Sequence, residues 1–268
     1  MKATVVIPTY NERDNLEAIV NEVLGLGEEY HVLIVDDNSP DGTGELADEL
    51  VSRSSRVEVI HRPQKQGLGT AYCTGFKHAL ENRSDYIIEM DADFSHDPHR
   101  LPDFLAMMGD YDLVIGSRYA KGIAVVNWSI KRLVLSLSAN LYARWITGLS
   151  LSDCTSGFKC FSRKVLESID VERVFSNGYA FQVEMNYRAQ RQGYRLGELP
   201  IIFVDRKVGQ SKMSTKIARD AFWHIFRMRA TSLIRPVSFA RIQISNPNST
   251  LLAATPGSEP QQPMDSTR

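Results

Sequence analysis

The stretch His31-Val32-Leu33-Ile34-Val35-Asp36-Asp37-Asn38-Ser39-Pro40-Asp41-Gly42-Thr43 decides the fold class. Its apolar run is continuous rather than alternating, which fits a strand buried on both faces. Asn38 to Gly42 is turn chemistry, and helical spacing begins at Thr43 and continues to Val51. The same alternation repeats on either side. Thr4–Pro8 reads as a strand and Asn11–Gly25 as a helix. Arg56–His61, Asp85–Met90 and Asp112–Gly116 read as further strands, with helices over Gly67–Asn82 and Asp97–Met108. Strands of this kind, separated by helices, predict an α/β fold with a mostly parallel central sheet covered on both faces. Ligands of such sheets bind beyond the carboxyl ends of the strands.

The unusual chemistry of the chain sits at those ends. Pro8-Thr9-Tyr10-Asn11-Glu12 follows the first strand and Asp36-Asp37 the second. Gly67-Leu68-Gly69 follows the third, Asp91-Ala92-Asp93 the fourth, and Gly116-Ser117-Arg118-Tyr119 the fifth. Beyond Gly122 the pattern changes. Trp128–Gly148 is one long helical stretch and Asp153–Phe161 a loop with a short strand. Ala180–Gln192 reads as a helix, Arg195–Val204 as a strand and Ser211–Arg229 as a last helix. Residues 1–235 are expected to form one domain. Residues 236–268, rich in Ser, Pro, Gln and Asn, are expected to be a disordered polar tail.

Composition excludes several classes. The chain has 268 residues, 43% of them hydrophobic, with 31 Lys+Arg against 32 Asp+Glu and a net charge of −1. That length can bury a substantial core, and the balance gives no basic field for nucleic acid. Cys73, Cys154 and Cys160 are too few and too scattered for a disulfide framework, so they read as reduced thiols. The first residues read as a strand rather than a signal peptide, and no apolar run is long enough to span a bilayer. The expectation is a cytoplasmic protein.

Two carboxylates one residue apart, Asp91 and Asp93, suit a divalent cation that shares its remaining positions with water and phosphate oxygens. Such a cation offsets the charge that builds on a departing diphosphate. Ser95 adds a weaker oxygen. The plain alternative is a solvated acidic turn with Asp97 capping the next helix. Asp37 suits a ribose hydroxyl or a base edge, with Pro8, Tyr10 and Glu12 completing a nucleoside pocket; helix capping explains Asn11 and Glu12 equally well. Arg118, Arg132, Arg206 and Lys212 lie on separate segments near the acidic rim, and Arg suits bidentate phosphate recognition. Ser136 stands one helical turn after Arg132. Singly, each basic residue also reads as a solvated surface charge. The short Gly67-x-Gly69 pair reads as a turn into a helix, not a phosphate loop.

Taken in order, Pro8–Glu12, Val35–Thr43 and Met90–Asp93 resemble the family 2 glycosyltransferases of GT-A fold. Phe94-Ser95-His96-Asp97-Pro98, Gly116–Tyr119, Asp153-Cys154-Thr155-Ser156-Gly157-Phe158 and Phe203–Lys212 are similar to the branch of dolichol-phosphate mannose synthases and their bacterial polyprenol-phosphate relatives. The resemblance covers about residues 3–230. It implies a GT-A nucleotide-sugar-binding fold and inverting, Mg²⁺- or Mn²⁺-dependent transfer of mannose from GDP-mannose to a polyprenyl or dolichyl monophosphate. By the same resemblance Pro8, Tyr10, Glu12, Val35 and Asp37 hold the nucleoside. Asp91, Ala92, Asp93, Arg118, Arg206 and Lys212 contact the donor. Asp93 and Ser95 ligate the metal, with Gln in place of Ser95 in many relatives. Arg118, Arg132 and Ser136 receive the acceptor phosphate; Asp93, Arg118 and Arg206 carry catalysis.

A polyprenyl acceptor brings a membrane into the argument. Residues 206–235 hold eight Lys+Arg against Asp220 alone, a net +7, with an apolar stripe of Ile217, Ala221, Phe222, Ile225 and Met228. A basic amphipathic helix suits an anionic membrane surface; a helix packed on the core with its charges outward is the other reading. Trp128, Leu133, Leu135, Leu137 and Trp145 are expected to form the second wall of a lipid groove. The chain would then dock peripherally on the cytoplasmic face or use a membrane-anchoring partner. A UDP-glucose-dependent relative and a nucleotide-sugar binder without turnover remain open. A nucleotidyltransferase is disfavoured by a first loop without the Gly and Lys or Arg that a triphosphate needs. A processive synthase is disfavoured because Arg144-Trp145 lacks the Gln three residues before it that the Gln-x-x-Arg-Trp motif requires.

Overall fold

Val, Ile and Ala fill Ala3–Thr9 (β1), and the chain then alternates as the pattern predicts: Arg13–Gly25 (α1), Tyr30–Asp36 (β2), Thr43–Arg53 (α2), Val57–His61 (β3), Leu68–Glu81 (α3) and Tyr86–Glu89 (β4). The structure is a computed structural model that describes residues 1–171, 174, 176, 178–205 and 215–234, with side chains in the last segment for 222–231. Arg206, Lys212 and the expected tail, 236–268, lie outside the described residues. A 3₁₀ turn at Pro98–Arg100 leads into Leu101–Met107 (α4), followed by Leu113–Ser117 (β5), Val125–Val126 (β6) and Ile130–Thr147 (α5). Lys159–Ser162 (β7), Arg163–Ser168 (α6), Tyr179–Arg191 (α7), Leu196–Pro200 (β8), Phe203–Val204 (β9) and Thr215–Ile234 (α8) complete the order.

The main sheet runs β3-β2-β1-β4-β7-β5-β8. All its neighbours are parallel except β7, which is antiparallel to both β4 and β5. Residue pattern shows that a strand exists, not its direction, so this insertion was not foreseen. Successive β1 side chains point to opposite faces. Val6 enters a core with α3, α5, α6 and α7, whereas Val5 and Ile7 enter another with α1, α2 and α4. The close approach of α3 requires Gly75, where a Cβ would overlap the Val6 side chain.

Three expectations need correction. Arg195–Val204 is two strands: β8 ends at Pro200, and β9 leaves the main sheet to pair in parallel with β6. The helix expected over Asp97–Met108 starts as a 3₁₀ turn, with the Asp97 side chain accepting from His99 N–H at 3.0 Å and Pro98 setting the first turn. The groove wall expected on α5 is only partly there. Leu135 lines a cavity, but Trp145 is 79% exposed and Leu137 also faces out.

Candidate active site

The first corner of the site forms where β1, β2 and β3 end together, with Thr9 opposite Asp36 and Asp36 opposite His61. The two adjacent aspartates divide the work. Asp36 accepts from Thr9 Oγ1 at 3.0 Å, Ser39 N–H at 3.1 Å and Ser39 Oγ at 2.6 Å, so it pins the turn. Asp37 faces Arg62, whose Nη1 lies 2.8 Å from its Oδ1 as a close ion pair without hydrogen-bond alignment. Burial pushes the Asp37 carboxyl above its ordinary range, against the pull of Arg62 and Lys65. Arg62 is itself buried and donates to Gln66 Oε1 and Thr70 Oγ1.

The half-buried Tyr10 ring supports Lys65, whose Nζ stands 3.5 Å from the ring centroid. Glu12 caps α1 through its carbonyl, which accepts from Asn15 and Leu16 N–H. Its side chain accepts from Asn15 Nδ2. Asn11 and Asn38 hold positive φ of 61° and 57°, a conformation Asn tolerates better than most residues. Val35 is fully buried beneath α3 and Ala92 is buried in the opposite core. Each therefore offers a bound ligand its backbone only.

The acidic loop follows β4. Tyr72 of α3 donates its hydroxyl to Asp91 Oδ1 at 3.1 Å, and Asp93 Oδ1 accepts from Ser95 N–H at 3.1 Å. Between them Phe94 sits at φ 58°. A bulky side chain there is strained by about 1–3 kcal/mol, and such strain gathers at functional loops. Asp91 N–H donates to Nδ1 of the buried His96, which places the ring proton on Nε2. Burial pushes His96 below its ordinary pKa and keeps it neutral. Its ring stacks on Phe158 at 4.8 Å and meets Phe203 edge-on at 5.8 Å. The loop's oxygens are hard donors suited to Mg²⁺ or Mn²⁺. Among the described residues no group of three or more His, Cys, Asp or Glu gathers into a closed metal cage. A cation here would draw its remaining ligands from diphosphate and water.

Phe203 links the acidic loop to a cationic corner, since the Arg118 guanidinium lies 5.7 Å from its ring centroid. The resemblance gives Arg118 a phosphate to contact, and its plain alternative is a solvated surface charge. The structure buries it to 5% exposure on a fully buried Asp153. Nε and Nη2 grip the two carboxylate oxygens at 2.6 and 2.7 Å, Nη2 also reaches Thr155 Oγ1 at 2.8 Å, and Arg118 N–H donates to Asp153 Oδ2. Burial opposes ionisation of both groups, but their mutual attraction wins. Asp153 is held below the usual carboxylate range and Arg118 above its own. Glu198 orders the loop by accepting from Ser152 and Asp153 N–H, and Asn140 of α5 accepts from Cys154 N–H.

Arg132 of α5 pairs with Asp205 and lies 4.1 Å over the Trp128 ring centroid. Arg118 lies 5.5 Å from the same ring centroid, so one indole serves two guanidiniums. Ser136 accepts from Tyr119 Oη at 2.7 Å, which leaves its own O–H to donate. These residues form the polar end of a cavity of about 440 Å³. Its remaining wall is mainly apolar, with Leu135, Ala139, Tyr142, Val183, Phe222 and Ile225. The structure thus brings Arg118, Arg132 and Ser136 together at one cavity. Sequence reading missed Arg62, Lys65, Trp128 as a guanidinium platform, and Asp153 as the anchor of Arg118. The Asp153–Phe158 motif was the available signal for the last.

Beneath the acidic loop, Glu89 of β4 stands opposite Lys159 of β7, both fully buried. Lys159 Nζ donates to the Gln182 carbonyl at 2.9 Å and to its side chain. Burial lifts Glu89 to about 7 despite Lys159, and lowers Lys159 to about 8. Lys159→Met removes the counter-charge. Since Glu89 can take up a proton, the expected cost near pH 6 is about 2 kcal/mol, growing by about 1.4 kcal/mol per pH unit above the Glu89 pKa. The sign follows because losing Lys159 raises the Glu89 carboxyl further: above the wild-type value the folded variant alone still holds a proton that its unfolded chain has released, so the gap widens until the variant's own folded value is reached. Urea midpoints at pH 6 and 9 check this. Glu89→Gln with Lys159→Met should remove the pH dependence.

A family model described as glycosyl transferase family 2 matches residues 4–170. The chain belongs to this family. It is 46% identical over 226 residues to the polyprenol monophosphomannose synthase of Mycolicibacterium smegmatis, spanning 84% of this chain and 85% of that protein. It is 43% identical over 227 residues to the undecaprenyl-phosphate mannosyltransferase of Micrococcus luteus, spanning 85% and 93%. Among solved structures it matches the Mycobacterium tuberculosis glucosyl-3-phosphoglycerate synthase in complex with Mn²⁺, UDP and glucosyl-3-phosphoglycerate. That match has a TM-score of 0.62, 18% identity, and coverage of 85% and 80%. The fold is GT-A, and this family 2 protein is a glycosyltransferase.

Proposed function

We propose that the protein transfers mannose from GDP-mannose to a polyprenyl monophosphate, with inversion at the sugar and Mg²⁺ or Mn²⁺ held by Asp93 and Ser95. One observation carries this reading. An apolar cavity ends in Arg118, Arg132 and Ser136 and is joined through Phe203 and His96 to the Asp91–Asp93 loop. The names of the two bacterial relatives support mannose transfer to a polyprenyl phosphate, and a structural neighbour was solved with Mn²⁺ and a nucleotide.

The nucleoside would lie against Tyr10 and Asp37, with Arg62 keeping the Asp37 carboxylate in place. A phosphate monoester is anionic near neutral pH, so its oxygen needs no general base to attack the anomeric carbon. The bond from that carbon to the departing diphosphate breaks as the new bond forms on the opposite face. The bound cation supplies charge neutralisation at the diphosphate. Arg132 and Ser136 hold the acceptor phosphate in line, and the Arg118–Asp153 pair keeps the cationic corner rigid, so positioning and charge stabilisation supply the rate. By resemblance Arg206 and Lys212 add charge at the diphosphate. No described helix is long and apolar enough to cross a membrane. The proposed lipid acceptor would place the protein peripherally at the cytoplasmic face, docked directly or through a membrane-anchoring subunit.

The test is a radiolabel transfer assay with membranes and Mg²⁺ or Mn²⁺, run in parallel with GDP-mannose and UDP-glucose. The expected result is label moving from GDP-mannose into a mild-acid-labile lipid. Label moving only from UDP-glucose would replace the donor. No labelled lipid from either donor would overturn the acceptor.

A further inference from the structure

The middle of α7 buries an acid. Glu184 is 4% exposed, yet both of its oxygens have partners. Oε1 accepts from Arg188 Nε at 2.9 Å and Nη2 at 2.6 Å, one turn along the same helix. Oε2 accepts from Ser176 Oγ and lies 3.3 Å from Nε2 of His224 on α8. Burial opposes ionisation of Glu184, but His224, Ser176 and Arg188 together hold its carboxyl below the usual range. Ser176 is braced on α3, where a Cβ on Gly69 would overlap its carbonyl oxygen. His224 carries the connection to α8.

This link stands beside the wall of the cavity. Val183, next to Glu184, lines the cavity from α7, and Phe222 and Ile225, which flank His224 within one turn, line it from α8. A hydrogen bond to a charged group is directional, whereas apolar contact is not. Fixing His224 therefore fixes how far α8 is turned about its own axis, and with it the direction of Phe222 and Ile225. We infer that Glu184 and His224 are positioning residues, whose contact turns α8 so that Phe222 and Ile225 complete the apolar wall for the acceptor's prenyl chain. The inference rests on the proposed prenyl acceptor. Neither residue lines the cavity; both act through α8. The wall they set lies beyond the phosphate. Tyr142 is six residues past Ser136 on α5, about 9 Å along the helix axis. Phe222 stacks on Tyr142 at 4.3 Å and its carbonyl accepts from the Tyr142 hydroxyl at 3.0 Å, so it meets later isoprene units rather than the first.

The test compares His224→Leu with His224→Gln in the full chain. Leucine keeps bulk and loses the donor; glutamine restores an N–H within reach of Glu184. Titration calorimetry measures binding of a one-isoprene prenyl monophosphate, a three-isoprene prenyl monophosphate and GDP-mannose. His224→Leu should weaken the three-isoprene ligand about tenfold, the scale of one hydrogen bond to a charged group. The one-isoprene ligand and GDP-mannose should bind as to wild type, with a thermal midpoint near wild type, and His224→Gln should recover most of the loss. In transfer assays the loss should fall on the KM of the longer acceptor and leave kcat unchanged. Equal affinity of wild type and His224→Leu for the longer ligand would overturn the inference. So would equal weakening of both prenyl ligands, or no recovery by glutamine. Length-dependent weakening that glutamine recovers, together with no sugar transferred by wild type, would uphold the positioning role and overturn the proposed reaction. A wild type that binds neither prenyl ligand would overturn both.

Discussion

Asp93→Ala is expected to lower the turnover number by about 10²–10³-fold or more, the scale of a charge-stabilising group removed from a transition state, while the thermal midpoint stays near wild type. Its carboxylate caps a short loop through Ser95 N–H and stands half-exposed, outside the core. Asp93→Asn separates the two roles. The amide oxygen can still accept from Ser95 N–H, but the charge is gone, so activity should fall nearly as far with the loop preserved. Turnover measured across a Mg²⁺ and Mn²⁺ titration decides the matter. Near wild-type turnover by either variant at millimolar metal would remove Asp93 from the reaction.

Asp153→Ala should destabilise the protein by about 3–5 kcal/mol, because it leaves the buried Arg118 guanidinium without its partner. For a chain of this size that is roughly a 10 °C fall in the melting midpoint. Transfer should fall as well, since Arg118 and Thr155 lose the group that orients them. Replacing both members, Arg118→Met with Asp153→Leu, should recover much of the stability and none of the activity. That outcome separates the ion pair's chemistry from its packing. The pH dependence follows from the depressed Asp153 pKa. A depressed carboxyl contributes its stability above its unfolded value, near about 4, and loses it as pH falls through the folded value. The gap between wild type and Asp153→Asn in urea melts should therefore be constant above about pH 5 and narrow in acid.

Much of the architecture was legible before any coordinates. The alternation from β1 to β5 was readable because buried parallel strands are continuous apolar runs and their connecting helices carry a different period. The acidic rim was readable because the turn residues after β2 explain Asn38–Gly42 and leave two aspartates over. Only the structure showed that the turn takes up Asp36 and leaves Asp37 facing Arg62. Their partners, Thr9 by hydrogen bond and Arg62 by ion pair, come from the ends of neighbouring strands. Likewise Arg118 and Arg132 were legible as phosphate-binding types, but not their carboxylate partners, 35 and 73 residues further along the chain.

By itself the sequence determined the order of strands and helices from β1 to β5, the two-sided burial of the sheet, and the acidic and basic residues available at its carboxyl edge. These are properties of local period and turn chemistry. Tertiary structure alone decided the antiparallel insertion of β7, the split between β8 and β9, the burial of Arg118 on Asp153, and the outward face of α5. Each depends on which distant segments meet. The helical period of α5 shows that its residues form stripes; what packs beside the helix decides which stripe is buried. Here Asn140 faces the Cys154 loop and Trp145 faces out.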